Sequence, residues 1–421
     1  MFALPFRSKF IINSLVCGAA NYRERRKYDK KAYRFKRYFM SNQSQQISQS
    51  LVPKYIRELQ TYQAGKPIDE LAREKGLKRI SKLASNENPL GPSPFAIREM
   101  TKGLWDLHRY PDMHAFKLKT ALSKKNNLKL ENIILGNGSE GIMAYIARAF
   151  LQPGNEVLTS ENTFIGFYIL AKSVGAITKQ VPLTKDYRFD VKALAEAITD
   201  KTKVIYIANP NNPTGTYITK TEFDYLMEFV PKHVLVILDE AYFEFAKEFD
   251  DYPDSMDYRY DNVITLRTFS KAYGLSGVRV GYGFGHEELI KNLTKVKLPF
   301  EPNLIGQLGA TGALLDDPHL ERTLGNNRIQ YKRCVEYLLA HNFKPISSVT
   351  NFITLKTGSP EASDFFFEFL LNLGVIIRPL KVNNMPEFIR ISIGTPEEMD
   401  HLFEALDKML PEYDKKFGRA E

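Results

Sequence analysis

Residues Lys203–Gly215 read KVIYIANPNNPTG, a run of β-branched and apolar side chains that stops at Asn209-Pro210 and Asn212-Pro213. Such a run reads as a buried strand over Lys203–Ala208. The prolines fix the backbone beyond it and leave the asparagines, Asn212 among them, projecting from the strand end. Taken alone, the cluster is equally an ordinary Asn/Pro turn. Val234–Tyr242 (VLVILDEAY) repeats the arrangement, with Asp239 closing an apolar run. A carboxylate ending a buried strand is costly unless it meets a cation or hydrogen-bond donors, and a salt bridge or helix cap would also satisfy it. Working outward, further candidate strands fall at Asn132–Leu135, Glu156–Thr159, Ala176–Leu183, Asn262–Thr265 and Arg279–Gly283. Helix-like stretches such as Ile142–Phe150 and Phe164–Ser173 lie between them. Strand–helix alternation predicts the α/β class, with a mostly parallel sheet covered by helices on both faces. Past about residue 310 the pattern changes. Helix-like Asn326–Leu339 and Ala362–Asn372 accompany strands at Asn351–Leu355, Val375–Ile377 and Ile389–Ile393, which predicts a smaller α+β domain. No internal repeat is evident.

Two more polar clusters sit at candidate strand ends, where open α/β sheets place their ligands. Gly136-Asn137-Gly138-Ser139-Glu140-Gly141 lies between a strand and a helix. Its glycines permit a tight turn, and free N–H groups at the following helix start can hold a phosphate. The spacing is not the dinucleotide GxGxxG pattern. Thr268–Gly281 (TFSKAYGLSGVRVG) carries Lys271 just after a strand and Arg279 eight residues later. A lysine there can form an imine with a carbonyl if burial and neighbouring positive charge lower its pKa, although most lone lysines only solubilise a surface.

The 421 residues hold 58 Lys+Arg and 49 Asp+Glu, a net charge of +9 that is concentrated at one end. Residues 1–40 carry 11 basic side chains against Glu24 and Asp29, whereas 41–421 carry 47 basic and 47 acidic ones. A protein basic throughout would suggest a polyanion-binding surface, and the balanced body argues against one. The leader loosely resembles an export signal or an organelle transit peptide. The preferred reading is an upstream start, with the working protein beginning near Met40, because Ser41–Ser50 is polar low-complexity sequence of the sort that precedes a domain. Tyr28, Tyr33, Phe35, Tyr38 and Phe39 interleave with its charges, but nothing supplies a base-reading module. No apolar run approaches the roughly 20 residues of a membrane span. With Cys17 and Cys334 the only cysteines, neither a disulfide framework in the body nor a metal site built on cysteine pairs is available, so a reducing, cytoplasmic setting is expected. Neither a nucleic acid nor a membrane is expected as a partner.

Together the four clusters, in this order, resemble those of the class I/II pyridoxal-phosphate aminotransferases of fold type I. The resemblance implies a role for each residue. Lys271 would carry the imine link to pyridoxal 5′-phosphate and move the proton between the substrate Cα and the cofactor C4′. Asp239 would pair with the pyridinium nitrogen, and Tyr242 and Asn212 would hydrogen-bond the ring oxygen. Ser139 and Glu140 (through backbone N–H groups), Ser270 and Arg279 would hold the phosphate, and Phe164 would stack on the ring. Gly138-Ser139-Glu140-Gly141 departs from the commoner Gly-Ser-Asp-Glu. Phe164 stands where a tyrosine is common, keeping the stacking without the hydroxyl.

Within that group the chain resembles histidinol-phosphate aminotransferases, from about Leu51 to Leu410. The likeness lies in Lys82–Pro94 (KLASNENPLGPSP), in Tyr62 within Thr61-Tyr62-Gln63, and in Arg109-Tyr110-Pro111-Asp112. It implies a homodimer with shared active sites, in which Tyr110 reaches the neighbouring subunit's cofactor phosphate. Tyr62, Asn88 and Asn351 would lie near substrate. In Phe388–Gly394 (FIRISIG) the isoleucines share one strand face, placing Arg390 and Ser392 on the other. An arginine in such a strand needs an anion, and Arg378 is a second candidate, although either could be a solvated surface residue. The resemblance assigns both to the anionic end of the substrates, histidinol phosphate and glutamate or 2-oxoglutarate. An aromatic amino-acid aminotransferase, a phosphoamino-acid decarboxylase and a nucleic-acid-binding regulator with an idle cofactor domain remain alternatives. The expected organisation is a basic, disordered leader over 1–50 and an N-terminal arm over 51–92 that packs with the small domain. A large cofactor-binding domain over 93–310 and a small C-terminal domain over 311–421 complete it.

Overall fold

The structure is a computed structural model and describes residues 51–59, 76–255 and 260–418. The leader and Tyr62 lie outside the described residues. Lys54–Arg57 forms a single helical turn in a first compact unit, and residues 76–418 belong to the second.

After the two-residue strand β1 (Ser81–Lys82) the chain lays down seven strands of one sheet. These are β2 (Ile133–Gly136), β3 (Glu156–Ser160), β4 (Ile177–Val181), β5 (Thr202–Ala208), β6 (Leu235–Asp239), β7 (Val263–Thr268) and β8 (Gly281–Gly285). Their order across the sheet is β2-β8-β7-β6-β5-β3-β4. β8 runs antiparallel to both neighbours, and the remaining pairings are parallel. The sequence expectation of a mostly parallel sheet is borne out, with strand ends displaced by at most three residues. The reason for the buried runs is visible in β5. Val204, Tyr206 and Ala208 join the apolar cluster on one face, which includes Ile142 and Phe167, while Ile205 and Ile207 join the other with Phe223 and Leu226. Both faces are covered, so both alternating sets are apolar.

A second sheet of four antiparallel strands runs β12-β13-β10-β9, from β9 (Pro345–Ile346), β10 (Phe352–Lys356), β12 (Arg378–Pro379) and β13 (Phe388–Ser392). Between them in sequence, β11 (Val375–Ile376) pairs in parallel with β1. Leu83, just after β1, is buried in the apolar cluster beneath this sheet together with Ile389, Ile391 and Ile393. The helix Asp317–Ala340 serves both cores. Leu320 and Leu324 pack with the residues around Phe269 and Tyr282, and Cys334 and Leu338 pack with Phe366 and Leu406. Among the described residues no helix is long and apolar enough to cross a membrane, and Cys334 is a free, buried thiol.

Candidate active site

Adjacent parallel strands bring three of the four sequence clusters side by side. Ala208 at the end of β5 and Asp239 at the end of β6 are register partners, and β7 ends next to them at Thr268. β2 ends at Gly136 and turns through Gly138, at φ +75°, into the helix Ser139–Phe150. The four strand ends surround a cavity of about 220 Å³ lined by Ser139, Phe164, Asn212, Asp239, Tyr242 and Lys271, with Ser270 and Arg279 at one end. A second compartment of about 150 Å³ opens beside it. It shares Phe164, Asn212 and Lys271 with the first and adds Asn86, Arg378 and Arg390.

At the phosphate-sized end, Arg279 donates from Nη1 to Ser270 Oγ at 3.3 Å and to the Ser276 carbonyl at 3.1 Å. Its Nη2 meets Glu140 Oε2 at 3.3 Å, a half-exposed pair. Two glycines make this possible. A Cβ on Gly138 would lie 2.7 Å from Arg279 Nη2, and one on Gly281 would lie 2.4 Å from the Ser139 backbone nitrogen. The helix start, with its N–H groups unsatisfied within the helix, and the guanidinium form one cationic corner. Arg279 was expected inside a strand; it sits just before β8 at φ +53°, a left-handed conformation that re-aims its side chain.

At the opposite end Asp239 is buried. Its Oδ2 accepts a 2.7 Å hydrogen bond from the Tyr206 hydroxyl, and its Oδ1, also buried, has no hydrogen-bond partner among the described residues. Burial pushes its pKa up to about 6, opposed by the Tyr206 hydrogen bond. Lys271 Nζ donates to the Ser85 carbonyl at 3.1 Å and stands 5.7 Å from the centre of the Tyr242 ring. Burial first, then the Arg390 charge, lowers its pKa to about 8. That is the condition under which a lysine becomes a nucleophile near neutral pH.

In the second compartment Arg390 lies on β13 opposite Arg378 on β12. Arg390 is 8% exposed and Arg378 half-buried, so neither is a freely solvated surface arginine. Arg390 Nη2 donates to the Ala84 carbonyl at 2.9 Å, Nη1 donates to Asn212 Oδ1, and the guanidinium lies 5.1 Å from the Phe352 ring centre. Each of these two acceptors is neutral.

Three expected residues line neither compartment of this chain. Asn88 was expected near substrate, but its Nδ2 donates to Ala272 O and Thr323 Oγ1 and its Oδ1 accepts from Leu90 N, so it pins its own loop. Asn351 is buried and donates to the Asn86 carbonyl at 3.0 Å, supporting that loop from behind. Tyr110 is 79% exposed and stacks on Phe300 at 4.3 Å, outside both compartments of its own chain. The residue that does face the cavity is Asn86, at φ +55°. Its Nδ2 donates to the Tyr242 hydroxyl at 2.8 Å, and its backbone N–H and Oδ1 both bond Ser392 Oγ at 2.8 Å. Tyr206 was read only as a strand residue. The signal for it was a hydroxyl set within an apolar run, which needs a buried partner.

A family model for aminotransferase class I and II matches residues 78–406. The chain is 41% identical over 330 residues to histidinol-phosphate aminotransferase 2 of Carboxydothermus hydrogenoformans, covering 78% of this chain and 90% of that one. It is 41% identical over 357 residues to histidinol-phosphate aminotransferase 2 of Haemophilus influenzae, covering 84% and 96%. The crystal structure of histidinol-phosphate aminotransferase from Sinorhizobium meliloti in complex with pyridoxal-5′-phosphate superposes with a TM-score of 0.80 at 28% identity, over 86% of this chain and 98% of that one. Aspartate aminotransferase from Thermus thermophilus with maleate, at 20% identity and a TM-score of 0.72 over 85% and 99%, shares the fold.

Proposed function

The chain belongs to the aminotransferase class I and II family, and on that premise we propose that it is a histidinol-phosphate aminotransferase dependent on pyridoxal 5′-phosphate. Glutamate gives up its amino group and leaves as 2-oxoglutarate; imidazole-acetol phosphate then receives the group and leaves as histidinol phosphate. The observation that carries this reading is the pairing of the Lys271–Asp239–Arg279 cavity with the adjoining Arg390–Arg378 compartment. The relatives that carry the name cover most of the chain.

The residues fit the cofactor at each end. Asp239 Oδ1 is a buried acceptor with no partner among the described residues, suited to a pyridinium N–H. Gly138 and Gly281 leave open a cradle that a Cβ would fill, beside Ser270 and Arg279 and the start of the helix Ser139–Phe150. When bound, pyridoxal phosphate supplies an electron-withdrawing ring that stabilises negative charge developing at the substrate Cα. This chain supplies the rest. Lys271 would take the proton from the substrate Cα and return it at the cofactor C4′ carbon. Tyr242 and Asn212 would hydrogen-bond the ring oxygen, Phe164 would cover a ring face, and Arg390 with Arg378 would bind the substrate anion. One anion site must accept a carboxylate and a phosphate in turn, and a planar guanidinium fork matches both.

A homodimer with shared sites is part of the same proposal. Trp105, Tyr110 and Phe116 are 86%, 79% and 61% exposed, an apolar grouping that one chain alone leaves in water. Tyr110 would then act in the partner's site. Cys334, the only thiol of the body, fits a cytoplasmic enzyme. The test is a pair of half-reactions on the purified protein. Glutamate alone should convert the cofactor absorbance to that of its amine form with release of one 2-oxoglutarate per site, and imidazole-acetol phosphate should restore it. Failure of the second step with success of the first would reject the substrate assignment.

A further inference from the structure

The cavity described so far accounts for one oxygen of Asp239. The other is held from behind by a residue that touches neither compartment. Tyr206 is completely buried in the middle of β5, and its ring stacks on Phe167 at 4.7 Å and 18°. It lies on the same sheet face as Asp239, which sits beyond Ile237, the register partner of Tyr206. From there its hydroxyl donates to Asp239 Oδ2 at 2.7 Å.

We propose that Tyr206 is a positioning residue for the cofactor: its hydroxyl fixes the Asp239 carboxylate plane and keeps that carboxylate ionised, leaving Oδ1 to hold the ring nitrogen. The argument rests on direction. Burial next to Asp239 raises the Tyr206 pKa well above the ordinary phenol value, so the phenol keeps its proton and acts as the donor. A donor on Oδ2 stabilises the charged form of Asp239 against the burial that favours its neutral form. A neutral carboxyl would compete with the ring nitrogen for the proton; an ionised one leaves the proton on the ring. The other charged groups facing Asp239 are Lys271 after β7, which favours its ionised form, and Glu140 on the helix Ser139–Phe150, which opposes it. Tyr168, on the helix Ile165–Ser173, lies near the phenol itself. The Ala241 backbone N–H also favours the ionised form, less strongly than the Tyr206 hydroxyl does.

The inference rests on Asp239 being the ring-nitrogen partner, and the experiment separates the two. Apoprotein is titrated with pyridoxal phosphate from pH 5 to 9, with affinity read by fluorescence quenching and folding by Tm. Tyr206→Phe should weaken cofactor binding about tenfold at neutral pH. It should also move upward the pH below which binding is lost, because without the donor Asp239 ionises only at higher pH. Phe167→Leu, which loosens the packing but keeps the hydroxyl, should lower Tm and leave that midpoint in place. Incorporation of 3-fluorotyrosine at position 206, a stronger donor, should move the midpoint down, which keeps the test decisive if the phenylalanine variant folds poorly. An unchanged midpoint in both variants, with Asp239→Asn still binding weakly, overturns the role of Tyr206. Wild-type affinity in Asp239→Asn overturns the underlying reading instead.

Discussion

The chemistry turns on the basicity of one amine. Lys271 is held by the Ser85 carbonyl in a setting where burial and the Arg390 charge bring its pKa to about 8, from an ordinary 10.5. The free amine is the reactive form, so cofactor capture by apoprotein should accelerate about tenfold per pH unit up to roughly pH 8 and then level off. A plateau reached only above pH 10 would contradict this environment. Linkage gives the same shift a second consequence. The folded state binds fewer protons at Lys271 than the unfolded state does, so this group favours folding increasingly as pH rises from about 8 to 10.5. Lys271→Ala should remove that slope and abolish the absorbance of the lysine-bound cofactor. It should also lower turnover by about 10²–10⁴-fold or more, as loss of a positioned proton-transfer group does. Wild-type turnover in Lys271→Ala would reject the mechanism.

At the scale of elements, the central strands β5, β6 and β7 were legible in sequence because both of their faces are buried and their ends carry polar clusters. Asp239 therefore converges, at the end of a strand, with Asn212, Tyr242, Ser270 and Lys271 just past strands whose apolar runs could be read directly, and Arg279 joins them from the turn before β8. The loop Ser85–Leu90 has no such period. Nothing local tells which of Asn86 and Asn88 faces the cavity, and the left-handed turn at Asn86 decides it. The helix Asp317–Ala340 has a readable apolar stripe, but helical periodicity does not say that its two halves join different cores. One close element contact is also invisible in sequence: β8 passes so near the start of the helix Ser139–Phe150 that Gly281 has no room for a methyl group. Gly281→Ala should cost about 1–3 kcal/mol of stability, as overpacking does, and displace the Ser139 N–H. Weakened binding of pyridoxal phosphate with near-normal binding of its phosphate-free analogue would localise the damage. Equal losses for both would contradict the assignment of this corner to the phosphate.

For the whole molecule, charge separates from fold. The body carries no net charge, yet its two compartments gather Lys271, Arg279, Arg378 and Arg390 against Asp239 and Glu140. Anion handling thus depends on placement and needs no excess of basic residues. Trp105 and Tyr110 are exposed in one chain, and on the proposed homodimer sedimentation should give about twice the 48.3 kDa of one chain. A strictly monomeric, fully active enzyme would contradict the shared site. The most direct test of the account is the steady-state comparison of histidinol phosphate with phenylalanine as amino donors. The paired arginines predict a kcat/KM that favours histidinol phosphate. A preference for phenylalanine of about 100-fold, equivalent to ~2.7 kcal/mol of transition-state stabilisation, would contradict it and assign the enzyme to aromatic amino acids.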